Sequence, residues 1–110
     1  MSKPILIVGG GPAGLAAAHA LARVGQPSVL VEKADRLGGA PILSGYAKLV
    51  PSGEWARDAI GGMVDRVVKD PLVEVHTGAK VTSFAGSPGA FAVQVSDGRS
   101  FEAGAAILAT

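Results

Sequence analysis

The chain has 110 residues, of which 48% are hydrophobic and 17% charged, with ten basic and nine acidic side chains. This length allows one domain at most, and the apolar content excludes an intrinsically disordered chain. Cysteine is absent, which excludes disulfide bridges, thiolate zinc sites and iron–sulfur clusters. The balanced, unclustered charges predict no nucleic-acid surface. Because no apolar stretch is long enough to span a membrane, we expect a soluble, cytoplasmic protein.

The first third of the chain predicts a strand–helix–strand unit. Residues 5–8 are an uninterrupted run of isoleucine, leucine and valine, typical of a strand that is buried on both faces. Residues 12–24 predict a helix, because proline opens the segment and Gly25 suits a left-handed C-terminal cap. Residues 29–31 predict a second buried strand that ends at Glu32. Together these elements predict a βαβ unit with a right-handed crossover.

The rest of the chain predicts one more helix, followed by strands. The helix extends over residues 54–69 with Ser52 as its N-cap, and a strand over residues 73–76 follows. Three short segments then predict an antiparallel meander. They cover residues 80–84, 91–95 and 99–103, with hairpin turns at 86–89 and 97–98. Residues 105–109 predict a buried, fully apolar strand that rejoins the first sheet. The predicted fold class is α/β: a Rossmann-like parallel sheet (βαβαβ) with an antiparallel three-stranded β-meander inserted before the last strand.

A glycine-rich turn after the first strand is the strongest indication of function. Gly9, Gly11 and Gly14 form a G-x-G-x-x-G pattern, which brings backbone amides and a helix N-terminus to a pyrophosphate. Glu32 follows near the spacing, roughly 20 residues, at which an acidic side chain binds ribose hydroxyls and repels a 2′-phosphate. We expect loss of the Glu32 carboxylate to weaken nucleotide binding with little effect on folding. We expect Gly11→Val to abolish binding and to disturb helix packing. The alternative is a glycine turn and a surface glutamate without a ligand.

Three motifs together resemble the FAD domain of two-dinucleotide-binding flavoproteins, which include the pyridine nucleotide-disulfide oxidoreductases. They are ILIVGGGPAGLAAAHALARVG…VLVEK near the N-terminus, DRLGG in the middle and AILAT at the end. The stretch PLVEVHTGAKVTSF…GAFAVQV is most similar to the A-type subunits of heterodisulfide reductases. The resemblance implies a flavin-dependent oxidoreductase with FAD as its cofactor. It also implies redox partner subunits, and NAD(P)H as an electron donor that binds elsewhere.

The resemblance further implies a set of cofactor-binding residues. Six consecutive residues would face the FAD pyrophosphate: Gly9, Gly10, Gly11, Pro12, Ala13 and Gly14. Glu32, with Lys33 beside it, would bind the adenosine ribose, and Val81 would offer backbone contacts to adenine. Three residues would lie near the pyrophosphate or the ribityl chain, although Gly38 and Gly39 alone also suit a simple loop: Gly38, Gly39 and Ala40. Two residues would begin the family's Ala-Thr-Gly turn: Ala109 and Thr110.

Departures from the family pattern limit what the resemblance implies. The dithiol expected after Gly39 is absent, as are the Gly-Asp segment that holds the ribityl chain and the NAD(P)H domain. We therefore expect a domain truncated at its C-terminus and active only within a longer chain or complex. Two alternatives stay open: an NAD-binding Rossmann domain of a dehydrogenase, and a non-catalytic nucleotide-binding or scaffold module. The sequence predicts no catalytic side chain and no metal-ligand cluster, and His19 and His76 are interpreted as packing or surface residues.

Overall fold

A computed structural model describes residues 3–35, 37 and 56–109, which form two helices and seven strands. The helices are α1 (Pro12–Arg23) and α2 (Ala56–Lys69). The strands are β1 (Ile5–Val8), β2 (Ser28–Glu32), β3 (Val73–Thr77), β4 (Val81–Ser87), β5 (Ala90–Val95), β6 (Ser100–Ala103) and β7 (Ala105–Leu108).

The strands form two sheets. One is a parallel sheet of four strands in the order β3-β2-β1-β7, and the other is an antiparallel sheet of three strands in the order β4-β5-β6. This arrangement confirms the predicted α/β class with a meander inserted before the last strand. The N-cap at Ser52 and the helix start at residue 54 lie outside the described residues, whereas the helix end at Lys69 is confirmed.

Both faces of the parallel sheet are covered at its centre. On one face, Ile7 and Leu30 are fully buried and pack against both helices. On the other face, Leu6, Val29 and Val31 pack against the three-stranded sheet. Each such side chain contributes about 1.5–3 kcal/mol by leaving water. The isoleucine-, leucine- and valine-rich runs of β1 and β2 therefore fit strands buried on both faces, as predicted.

The last strand is less buried than its sequence predicts. β7 rejoins the parallel sheet beside β1, as expected, but Ala105 and Ala106 are exposed and the side chain of Leu108 is 78% exposed. The prediction of a buried strand is therefore wrong. The physical reason is position, because β7 is the edge strand of this sheet and, within the described residues, most of its surface is left uncovered. An apolar run cannot distinguish a central strand from an edge strand.

Glycines with a positive φ lie at several of the turns that join these elements. Gly25, two residues after the end of α1, has a φ of 78°, and its N–H donates to the Ala22 carbonyl oxygen over 3.0 Å, which is the left-handed cap expected there. The first hairpin turn is tighter than predicted, because β4 continues to Ser87 and leaves only residues 88–89 between the strands.

In the described part of the chain, neither helix is both long and apolar enough to cross a bilayer.

Candidate functional site

The carboxyl ends of the parallel strands meet at one edge of the four-stranded sheet. β1 ends at Val8, β2 at Glu32 and β7 at Leu108, with β1 between the other two. Ligands of open parallel sheets bind in the crevice outside this edge. The glycine-rich turn after β1, Lys33 after β2 and Ala109 after β7 therefore all reach the same region.

Two glycines fix the shape of the glycine-rich turn. Gly9 has a φ of 114°, in the left-handed region that side chains disfavour, and its N–H donates to the Val31 carbonyl oxygen over 2.9 Å. A Cβ at position 14 would lie 1.8 Å from the carbonyl oxygen of Gly9, a distance at which the atoms overlap. The start of α1 can therefore lie against the end of β1 only because Gly14 has no side chain.

The missing side chain of Gly11 has a different consequence. A Cβ on Gly11 would meet no described atom within 4 Å, whereas one on Gly10 would lie 2.6 Å from Leu37 Cδ2 and 3.0 Å from Glu32 Cβ. Among the described residues the space beside Gly11 is open, so its missing side chain leaves a ligand free to approach the backbone. This space argues against the expectation that Gly11→Val would disturb helix packing.

The N-terminus of α1 faces this open space. Gly11 is the N-cap residue in an extended conformation, no side chain of the described residues caps the helix, and its first turn has no acidic residue. Pro12 has no N–H, and the amide of Ala13 has no carbonyl partner inside the helix because it belongs to the first turn. The positive end of the helix dipole and its unpaired donors are arranged as an anion site requires.

The carboxylate of Glu32 binds two backbone amides on either side of the end of β2. Its Oε1 accepts from the Gly10 N–H over 2.7 Å and its Oε2 from the Ala34 N–H over 2.6 Å. Hydrogen bonds to an ionised acceptor are stronger than neutral ones. Glu32 therefore ties the glycine-rich turn to β2, which contradicts the expectation that its removal leaves folding unchanged. Each carboxylate oxygen keeps a second lone pair for a ligand hydroxyl.

A cleft of about 210 Å³ opens beside Glu32. Its lining comes from the ends of β1 and β2 and from the segment that enters β4: Val8, Gly9, Val31, Glu32, Lys33, Ala79, Lys80 and Val81. Two hydrogen bonds hold that segment at β2, from the Ala79 N–H to the Glu32 carbonyl oxygen over 3.1 Å and from the Gly78 N–H to the Ala34 carbonyl oxygen over 2.7 Å. The structure thus brings four predicted residues into one cleft: Gly9, Glu32, Lys33 and Val81.

Besides the strand residues Val8 and Val31, two residues of this cleft, Ala79 and Lys80, were not predicted as site residues. They follow Gly78, whose φ of 62° turns the chain from β3 toward β4. The glycine is the one feature of the sequence that points to a turn here. Nothing in the sequence indicates that the turn closes onto β2, because the two segments are far apart along the chain.

Val81 presents its backbone toward the open edge of β4. The carbonyl oxygen of the preceding residue, Lys80, accepts from the Ser96 N–H over 2.8 Å. In an antiparallel ladder, successive residues alternate between bonding the partner strand and facing away from it. The Val81 N–H lies on the opposite side of the planar peptide from the Lys80 carbonyl oxygen, so it faces away from β5 at this edge strand. A ligand in the cleft can accept from this N–H, whereas the register shift between Val81 and Ser83 interrupts the alternation for the groups that follow.

The remaining predicted residues divide into two groups. Ala109 stands beside the start of α1, because its N–H donates to the Val8 carbonyl oxygen over 2.8 Å and a Cβ on Gly14 would lie 3.6 Å from its own Cβ. The other group lies outside the described residues: Gly38, Gly39, Ala40 and Thr110. Within residues 3–35, 37 and 56–109, no three histidine, aspartate or glutamate side chains are placed to hold a metal ion.

Known proteins resemble this chain in sequence and in fold. The profile of the FAD dependent oxidoreductase family matches residues 4–103. The A-type subunit of the ferredoxin/F(420)H(2)-dependent CoB-CoM heterodisulfide reductase of Methanosarcina acetivorans is 34% identical over 94 residues, which are 86% of this chain and 12% of that protein. An oxidoreductase from Agrobacterium tumefaciens is 27% identical with a TM-score of 0.76, over 98% of this chain and 36% of the other. The L-proline dehydrogenase of P. horikoshii shares the fold with a TM-score of 0.84 at 24% identity, over 100% of this chain and 22% of the other. This chain thus spans only a small part of each relative.

Proposed function

This chain belongs to the family of FAD-dependent oxidoreductases, and from that premise we propose that residues 1–110 form a dinucleotide-binding domain that holds the ADP half of FAD. The observation on which the proposal depends is the open space beside Gly11, next to the N-terminus of α1. A pyrophosphate needs backbone amides at close range, and an adenosine needs a neighbouring cleft with an acidic end. The cleft beside Glu32 meets the second need at the same sheet edge.

Each part of the ADP half has a candidate partner in the described chain. The pyrophosphate would lie against the glycine-rich turn, from Gly9 to Gly14, where the dipole of α1 supplies positive charge without lysine or arginine. The ribose hydroxyls would bond the free lone pairs of Glu32, with Lys33 beside it. The adenine would lie against the backbone of Val81. These residues fit the group, because the turn leaves space where the phosphates must pass.

The role of the protein at this site is to bind and orient the cofactor. FAD itself supplies the redox chemistry when it is bound. The five residues that we assign to the flavin-proximal side are Gly38, Gly39, Ala40, Ala109 and Thr110. Of these, Ala109 is held at the mouth of the glycine-rich turn by its hydrogen bond to Val8, which supports its place beside the cofactor.

The activity of the whole protein is a further proposal. The Methanosarcina acetivorans relative is one subunit of an enzyme, which supports a role for this chain beside redox partner subunits, with NAD(P)H as an electron donor bound elsewhere. We place the protein in the cytoplasm on the composition of the sequence alone. An NAD-binding domain would use the same turn and the same glutamate, but the match to the FAD-dependent family favours FAD.

Calorimetry with the 110-residue chain tests the proposal. We expect ADP and FAD to bind with affinities within about tenfold of each other, or roughly 1.4 kcal/mol, because all the described candidate contacts except Ala109 lie on the ADP half. ADP-ribose should bind at least about tenfold more tightly than its 2′-phosphorylated form, because Glu32 repels the added charge. No measurable binding of either ADP or FAD would refute the proposed function.

Gly11→Val provides the matched control for the site itself. The open space at this position predicts a folded protein, while the new side chain fills the path of the pyrophosphate. We expect an unchanged circular dichroism spectrum and no measurable binding of ADP. A folded Gly11→Val protein that keeps the affinity of the unmodified chain would show that the nucleotide binds elsewhere.

A further inference from the structure

Four charged side chains outside the proposed cofactor site connect the two sheets. Glu74 and His76 lie on β3 of the parallel sheet, whereas Asp97 and Arg99 lie at the turn between β5 and β6. His76 Nε2 lies 2.5 Å from Glu74 Oε2, and His76 Nδ1 lies 2.5 Å from Asp97 Oδ2. Arg99 Nε and Nη2 donate to the same Glu74 carboxylate over 2.6 Å and 3.1 Å.

The position of His76 between two carboxylates favours its protonated form. A neutral imidazole has one donor and one acceptor nitrogen, so it can satisfy only one carboxylate and turns a lone pair toward the other. Both contacts are favourable only when both ring nitrogens carry a proton. The cluster is therefore complete when His76 is a cation and loses one contact when that proton leaves.

The same turn also holds the rim of the cleft. Ser96, which precedes Asp97, bonds Lys80 twice: its N–H donates to the Lys80 carbonyl oxygen over 2.8 Å, and its Oγ accepts from the Lys80 N–H over 3.0 Å. Lys80 and Val81 line the cleft together with Glu32. A displacement of the β5–β6 turn relative to β3 therefore acts on this part of the lining through Lys80, against the hydrogen bonds that hold Gly78 and Ala79 at the end of β2.

We propose that Glu74, His76, Asp97 and Arg99 form a proton-linked latch that holds the three-stranded sheet against the parallel sheet and sets the width of the cleft. The charged groups that face the imidazole are Glu74 from its own strand and Asp97 from the turn, and Arg99 neutralises the far side of Glu74. Its consequence for ligand binding rests on the function proposed above, whereas its consequence for the two sheets does not.

The pKa values of the cluster agree with this geometry. Burial lowers the pKa of His76, but its hydrogen bonds to Glu74 and Asp97 outweigh burial and raise the pKa above the ordinary 6.5. The hydrogen bond from Arg99 lowers the pKa of Glu74 below its ordinary 4.5, although burial opposes it. The latch is therefore closed at pH values between the lowered pKa of Glu74 and the raised pKa of His76, and it opens as the pH rises through the pKa of His76.

Nuclear magnetic resonance measures the latch directly. We expect the imidazole of His76 to titrate above 6.5, and its midpoint to fall in Asp97→Asn. Between a pH below 6.5 and a pH above the midpoint, hydrogen-exchange protection of the β4–β6 amides should drop in total by roughly tenfold for each unit by which that pKa is raised. This drop should vanish in His76→Gln and persist in His19→Gln, which removes the other histidine of the chain. A midpoint at or below 6.5, or equal exchange in His76→Gln and His19→Gln, would overturn the proposal. If His76→Gln does not fold, the titration and exchange of the unmodified chain decide alone.

Calorimetry with ADP then tests the link to the cleft. ADP should bind more tightly below the midpoint of His76 than above it in the unmodified chain, relative to His76→Gln measured at the same pH values. By reciprocity, saturating ADP should raise the midpoint of His76. The same pH dependence in both proteins would refute the link to the cleft. If no ADP binds at any pH, the proposed function fails, while the titration and exchange results still decide whether the latch exists.

Discussion

Glu32→Gln isolates the two hydrogen bonds that tie the glycine-rich turn to β2. The substitution keeps the shape of the side chain but replaces one acceptor oxygen with an NH2 group. One of the two backbone amides, on Gly10 or Ala34, then faces a donor instead of an acceptor. The other keeps a neutral hydrogen bond in place of a charged one. The turn should loosen even when no nucleotide is present.

The expected magnitude follows from the two contacts. A hydrogen bond to a charged group contributes about 1.5–3 kcal/mol. Because Glu32 is only half-buried, water replaces part of what is lost, and we expect Glu32→Gln to lower the free energy of unfolding by about 2 kcal/mol. Glu32→Ala removes both acceptors and should cost about 3 kcal/mol. Either change should also weaken ADP binding.

Urea unfolding followed by circular dichroism, with linear extrapolation to water, measures this loss. Glu102→Gln is the matched control, because Glu102 is an exposed carboxylate whose ion pair with Lys3 is 2.5 Å long. Pairs of this kind contribute about 0–1 kcal/mol. If Glu32→Gln and Glu102→Gln lower the free energy of unfolding equally, Glu32 does not hold the turn and the reasoning fails.

Three further comparisons test the fold in the same unfolding assay. Gly14→Ala should lower the free energy of unfolding by more than about 3 kcal/mol, because the new Cβ overlaps the carbonyl oxygen of Gly9, whereas Gly11→Ala should lower it by less than about 1 kcal/mol. Equal losses would refute the different roles of the two glycines. Leu30→Ala should cost about 2–5 kcal/mol and Leu108→Ala less than about 0.5 kcal/mol, because the first is fully buried and the second exposed; a large loss at Leu108 would show that β7 is covered. Burial lowers the pKa of His76, but its hydrogen bonds to two carboxylates raise it by more, and a raised pKa stabilises the fold only at pH values below that pKa. The urea midpoint should therefore fall as the pH rises through the pKa of His76, and a midpoint that rises over this range would contradict this prediction.

Elements whose signals are local could be predicted from the residues alone. The isoleucine, leucine and valine run before Gly9 and the helix after it depend on residues that lie only a few positions apart in the chain. The βαβ unit was therefore predictable almost to the residue. The roles of Gly9 and Gly14 were predictable for the same reason, since the left-handed φ of one and the close approach of the other occur within six residues.

How segments that are distant in the chain meet could be read only from the folded structure. Whether β7 is central or at an edge depends on which strands pair with it, and an apolar run is the same in both positions. The sequence indicates only a packing or surface residue at His76, whereas the structure places it between Glu74 and Asp97, and Asp97 reaches it because the turn between β5 and β6 lies beside β3. The second wall of the cleft, at Lys80, is placed by the same return. Contacts between segments that are remote in the chain depend on sheet order and register, and no local spacing of residue types encodes them.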